Sequence, residues 1–280
     1  MQTLTSTFKE KIAAAIAKAN SLLCVGLDPE LSRLPKAISS KGNPFYEFNR
    51  EIVDATAAAA CCYKLQIAHY AAEGREEELK MSIDYIRGAH PHIPVILDAK
   101  RGDIGSTAER YAVECFERFN ADAATVNPYL GADSVAPFAK WADRGVIVLC
   151  RTSNPSAREL QDLRVGNRAL FEIVAELATT TWNANENISL VVGGTYPADL
   201  ARLRTVCGDD VLFLVPGVGA QGADINAVVT SGQDSRGTGL LINSSRAIIF
   251  ASAGADFASA ANAAAEATRL EINRARRGAA

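Results

Sequence analysis

Eight short apolar runs, separated by longer amphipathic stretches, recur from one end of the chain to the other. They span residues 22–27, 61–67, 93–97, 123–126, 146–150, 189–192, 211–215 and 240–242. Most lack the apolar–polar alternation of a half-buried strand, so they predict parallel strands covered on both faces. Between them, segments such as 45–60, 76–87, 106–119, 167–182 and 198–207 carry apolar residues at helical spacing. Strand followed by helix, eight times over, predicts an α/β fold whose strands close into a (β/α)8 TIM barrel. The length of 280 residues lies within the range of roughly 200 to 400 for such barrels, so residues 1–280 are predicted to form a single TIM-barrel domain. An open doubly wound sheet is the structural rival. No G-x-G-x-x-G follows the first run and no composition break divides the chain, which disfavours it. Residues 5–20 predict an additional N-terminal helix that covers the barrel's bottom. The alanine-rich stretch 255–277 predicts a last helix whose basic end, Arg274, Arg276 and Arg277, suits a helix C-terminus.

Composition narrows the function classes. A net charge of −3 gives no field that would gather nucleic acid or an anionic membrane, so neither is expected as a partner. No apolar run approaches the roughly 20 residues a membrane-spanning helix needs. The first residues lack a charged region followed by an apolar one, which predicts a cytoplasmic protein. Cys24, Cys61, Cys62, Cys115, Cys150 and Cys207 show no C-x-x-C spacing and predict buried free thiols. The His90-Pro91-His92 pair lacks a third ligand nearby. It is expected to be a surface turn, and no metal site is predicted.

In this fold the active site lies at the carboxyl ends of the strands. Those ends carry Asp28, then Lys64 inside the second run, and Asp98, Lys100 and Asp103 after the third. Asn127 follows the fourth run, Arg151 to Pro155 the fifth, and Asn243 to Arg246 the eighth. Alternation along a strand points Asp98 and Lys100 the same way, while Gly102 and Gly105 allow a tight loop around Asp103. A lysine between carboxylates is a proton donor or an ion-pair anchor, not a free-amine nucleophile. Lys64 extends the pattern to an alternating Lys-Asp-Lys-Asp array, which reads equally as catalytic machinery or as a structural ion-pair cluster. After the seventh run comes the glycine-rich stretch from Pro216 through Gln221 to Gly222. Together with Arg246 it is either a plain turn beside a helix or a phosphate site, and its place after strands seven and eight favours phosphate. Residues 222–239 read as a long mobile loop able to close over a ligand.

These residues together resemble the orotidine 5′-phosphate decarboxylase family, in its longer bacterial subgroup (type 2). The motifs are Gly26-Leu27-Asp28-Pro29, Lys64, Asp98-Ala99-Lys100-Arg101-Gly102-Asp103-Ile104, Asn127-Pro128-Tyr129-Leu130-Gly131, Thr152-Ser153-Asn154-Pro155, Pro216 to Gly222, and Asn243-Ser244-Ser245-Arg246. The resemblance implies loss of CO2 from C6 of orotidine monophosphate to give uridine monophosphate, the last step of de novo pyrimidine nucleotide synthesis, with no metal and no organic cofactor. It further implies that Lys100 stabilises the C6 carbanion and protonates it, and that Asp98 crowds the departing carboxylate. Asp28 and Lys64 would bind ribose hydroxyls, with Lys64 also orienting Asp98. Ser153 would bind the pyrimidine's amide edge, Gln221 and Arg246 the phosphate, and Asn127 would lie near ribose or base. Asp103, Ile104 and Thr107 would reach across a homodimer into the neighbouring site. One departure is Ala223, where the family often has a second glycine.

Two rivals remain open at this level. A metal-dependent sugar-phosphate aldolase or decarboxylase of the same suprafamily would carry an acidic magnesium ligand on strand two, where Lys64 would repel the ion. A non-catalytic nucleotide-phosphate binding protein would be expected to lose part of the charged array, yet all four members are present.

Overall fold

All eight apolar runs are strands in the computed structural model, which describes residues 6–217 and 223–278. They are β1 (Leu23–Gly26), β2 (Cys62–Gln66), β3 (Val95–Arg101), β4 (Ala123–Val126), β5 (Gly145–Arg151), β6 (Ile188–Val192), β7 (Phe213–Val215) and β8 (Leu240–Ser244). Each pairs in parallel with the next, and β8 returns to pair with β1, closing the barrel. The longer helices are α1 (Phe8–Ala19), α2 (Pro44–Thr56), α3 (Glu76–Ala89), α4 (Gly105–Val113), α5 (Ala132–Ala139), α6 (Leu170–Thr179), α7 (Pro197–Cys207), α8 (Ile225–Gly232) and α9 (Phe257–Gly278). The strands are buried along almost their whole length, as unbroken apolar runs require when helices cover the outer face.

The helix α1 closes the amino end of the barrel. It starts in a capping box, with Thr7 Oγ1 accepting the Glu10 N–H at 3.3 Å and Glu10 Oε2 accepting the Thr7 N–H at 2.7 Å. It stops at Asn20, which adopts the left-handed conformation with φ 44°. Phe8 packs over the start of β5, where a side chain on Gly145 would overlap its ring. Lys11 Nζ and Arg87 Nη1 converge on buried Asp122 Oδ1 at 2.8 and 3.1 Å, and Asp122 Oδ2 accepts the Val95 N–H at 2.9 Å. One carboxylate thus ties α1 and α3 to the start of β3. At the far side of the same end, buried Arg204 on α7 donates to the carbonyls of Gly208, Val211, Gly232 and Gly239 at 2.7–2.9 Å. Its guanidinium lies 3.9 Å from the Phe213 ring centroid.

Several boundaries differ from expectation. Of the segment 222–239, Gly222 lies outside the described residues, and residues 223–239 do not form a long loop. Ile225, Val228 and Val229 supply a buried helical face, and the Asp224 side chain caps α8 by accepting the Asn226 N–H at 2.9 Å. The remaining turn leads into the start of β8, at the end of the barrel away from the expected site. There Asp234 Oδ1 accepts the Arg236 and Thr238 N–H groups at 2.9 and 2.7 Å. The helix expected over 167–182 begins later, because Arg164–Val165 and Arg168–Ala169 pair as a small antiparallel ribbon around Gly166, whose φ is +61°. Strand β3 runs past Leu97 to Arg101, through an irregularity in its pairing with β4.

Replacing Arg204 removes the guanidinium that donates to four backbone carbonyls, of which only Gly239's is also shown accepting a backbone N–H, that of Phe213, among the described residues. Arg204→Met is expected to lower unfolding free energy by about 3 kcal/mol, measured by urea denaturation.

Candidate active site

The carboxyl ends of the strands surround a cavity of about 540 Å³. Asp28, Lys64, Asp98 and Lys100 line one wall, with Ser153, Gly217 and Arg246 elsewhere around it. Lys64 projects from β2 with its Nζ 3.1 Å from Asp98 Oδ2 and 3.7 Å from Asp28 Oδ1. Lys100 Nζ lies 2.7 Å from Asp98 Oδ1. Within one chain the alternating array is therefore Asp28–Lys64–Asp98–Lys100.

Neighbouring charges hold Asp98 and Lys64 ionised. Burial favours the neutral acid at Asp98, but the ammonium groups of Lys64 and Lys100 outweigh it and hold its carboxyl below the usual range. Burial likewise favours a neutral Lys64, yet Asp28 and Asp98 raise its pKa above that of an ordinary lysine. Thr125 of β4 adds a hydrogen bond from its Oγ1 to Asp98 Oδ1 at 2.7 Å. Asp28 Oδ1 accepts the Gln66 N–H at 3.1 Å, and the Tyr70 hydroxyl holds the neighbouring Leu27 carbonyl at 2.9 Å.

The other expected site residues divide. Asp103 is half-buried and its Oδ1 accepts the N–H of Ile104 at 2.8 Å; among the described residues it makes no ion pair with Lys100. Ile104 is 54% exposed and Thr107 is exposed, and neither they nor Asp103 line the cavity of their own chain. Asn127, expected near ribose or base, sits in the turn that follows β4 and is not among the residues lining the cavity. Its Oδ1 accepts the Tyr129 N–H at 3.0 Å. Gln221 lies outside the described residues. Ser153 and Arg246 both border the cavity.

The structure matches known proteins along nearly its whole length. The model of the Orotidine 5′-phosphate decarboxylase / HUMPS family matches residues 21–262. The chain belongs to this family. A curated orotidine 5′-phosphate decarboxylase from Cupriavidus necator is 54% identical over 272 residues, covering 97% of this chain and all of that one. One from Dechloromonas aromatica is 55% identical over 267 residues, covering 95% and 98%. The solved structure of Leishmania donovani OMP decarboxylase superposes with a TM-score of 0.84 at 39% identity, covering 97% of this chain and 99% of that one.

The packing around this decarboxylase-family site was less legible: Arg151 was singled out as a strand-end residue, but the supporting contacts of Gln161 and Gly193 were not. Arg151, at the end of β5, turns away from the cavity. It is 2% exposed, pairs with Asp199 at 2.8 Å and Asp162 at 3.0 Å, and lies 4.5 Å from the Tyr196 ring centroid. Gln161 grips the next residue twice, accepting the Thr152 N–H at 2.9 Å and donating to Thr152 Oγ1 at 2.8 Å. The β6 end packs so closely that a Cβ on Gly193 would stand 2.9 Å from the Ser153 nitrogen. The Gly193-Gly194 pair was the available signal for that approach. The six cysteines are free, five of them buried, and His90-Pro91-His92 forms a turn.

Asp98 has a depressed pKa in the folded state, so its stabilisation is complete above its unfolded value near pH 4 and is lost as pH falls through the folded value. Asp98→Asn should therefore unfold about 3 kcal/mol more easily than wild type at pH 7. The gap between their urea midpoints should narrow as pH is lowered below 4.

Proposed function

We propose that this protein is an orotidine 5′-monophosphate decarboxylase, forming uridine 5′-monophosphate and CO2 in the last step of de novo UMP synthesis. The observation that carries the reading is the Lys100 ammonium held 2.7 Å from Asp98 in a cavity that also contains Arg246. The family membership and the curated decarboxylases it resembles support the same chemistry.

In this reading Arg246 grips the phosphate together with Gln221, Asp28 and Lys64 bind the ribose hydroxyls, and Ser153 meets the amide edge of the pyrimidine. The substrate's C6 carboxylate then faces Asp98. The bond between C6 and the carboxylate carbon breaks, its electron pair stays on C6, and CO2 departs. Lys100 stabilises the developing carbanion and transfers a proton to C6. The neutral amine then regains a proton from water. Repulsion between Asp98 and the substrate carboxylate disappears as CO2 forms, so it raises the ground state more than the transition state. Binding energy at the phosphate, remote from C6, holds the base in place for this step.

A divalent cation has no place in the mechanism. The Lys64 ammonium already occupies the space between Asp28 and Asp98, at 3.7 and 3.1 Å, and would repel a metal there. The working unit we propose is a cytoplasmic homodimer. Asp103, Ile104 and Thr107 lie at the β3–α4 edge, exposed or half-buried and outside their own chain's cavity. Tyr129, 77% exposed, and Leu130 add apolar surface after β4. A second copy docked on this edge would bring its Asp103 to Lys100 and complete the charge array.

Three measurements test the reading. The purified protein with EDTA should convert orotidine monophosphate to uridine monophosphate, read by the absorbance change; a strict need for added magnesium would overturn the metal-free mechanism. Lys100→Ala should lose turnover while still binding uridine monophosphate. Mixing it with inactive Asp103→Ala should restore about a quarter of the wild-type rate, because one site in each mixed dimer is intact. No recovery would place Asp103 in its own chain's site.

A further inference from the structure

Strands β3 and β4 fall out of step at the point where the charged residues begin. Ile96 pairs with Ala123 and Leu97 with Ala124, but the next partners are Arg101 and Val126. Asp98, Ala99 and Lys100 therefore stand opposite the single residue Thr125. Extra residues on one strand bend it, re-aim its side chains and leave backbone groups without ladder partners. Here Lys100 adopts φ +47°, in the left-handed region that a side chain with a Cβ disfavours.

Thr125 answers this irregularity with one atom. It is 1% exposed, and its Oγ1 accepts the Lys100 N–H at 2.9 Å. A backbone N–H can only donate, so the threonine's own proton is free for the 2.7 Å contact with Asp98 Oδ1, an acceptor when ionised. The same Oδ1 receives the Lys100 ammonium. One hydroxyl thus joins the backbone of Lys100 to the carboxylate that orients its side chain. We infer that Thr125 is a positioning residue, which pins the β3 bulge and so fixes the Lys100 ammonium against Asp98. The inference rests on the decarboxylase reading, in which that ammonium must meet C6.

The test compares wild type with Thr125→Val, which keeps the shape and loses the hydroxyl, and Thr125→Ser, which keeps the hydroxyl. Thr125→Val should lower kcat by about 100-fold, as misplacement of a reacting group does, with little change in KM. Removing a donor from ionised Asp98 should also move the acid limb of kcat/KM to higher pH. The Asp98 carboxyl, followed by 13C NMR in the unliganded protein, should titrate higher as well. Thr125→Ser should return all three readouts toward wild type. Should Thr125→Val not fold, Thr125→Cys, a weak hydrogen-bonding group of similar shape, carries the same expectation. Wild-type kcat and an unmoved acid limb in the valine or cysteine variant would overturn the inference, as would a serine variant equally impaired. If wild type itself releases no CO2 from orotidine monophosphate, the proposed function falls, and the Asp98 titration alone still decides for or against Thr125.

Discussion

A carboxylate buried at the mouth of a barrel is costly unless positive charge and hydrogen bonds surround it, and Asp98 is the group around which this site is arranged. Lys64 approaches one of its oxygens, while Lys100 and Thr125 approach the other. These partners come from β2, β3 and β4, which are neighbours in the closed sheet. The barrel's order therefore decides whether Asp98 is stable as an anion. In turn, the anion decides where the Lys100 ammonium rests.

The two ends of the barrel use buried charge differently. At the amino end, Arg204 is solvated by four carbonyls and Asp122 by two cations and a backbone N–H, so each is satisfied within one folded chain. Such groups lock elements together. At the carboxyl end the charges face a cavity, and Lys100 sits in a disfavoured backbone conformation. Strain of this kind persists only where surrounding contacts over-determine it. The β5 end follows the same logic. Gln161, Arg151 and the bare Gly193 backbone hold the loop carrying Ser153 from three sides.

Much of the site was legible because acids and lysines stand out at the ends of apolar runs. Lys64, Asp98 and Lys100 interrupt strands that are otherwise hydrophobic and Asp28 ends an apolar run, and that mismatch is local. Thr125 was not legible, because threonine is a common strand former and its hydroxyl gave no sign of a partner 27 positions away. The segment after β7 was misread for the opposite reason. Its Ser, Gly and Asp residues signalled a loop, while the buried face of Ile225, Val228 and Val229 spans only two turns. The Asn127 side chain, singled out by residue type, uses its oxygen in the turn it sits in.

What the amino-acid sequence determined by itself was the α/β barrel and the end of it that carries the chemistry. Both follow from the period of apolar residues and from where charge breaks it, which are properties of short windows. Tertiary structure alone decided the β3 bulge, the inclusion of Asp28 in the array and the outward placement of Asp103. Those outcomes depend on strand register and on closure of β8 against β1. Register is set by packing between residues far apart in the chain, so no window of sequence contains it.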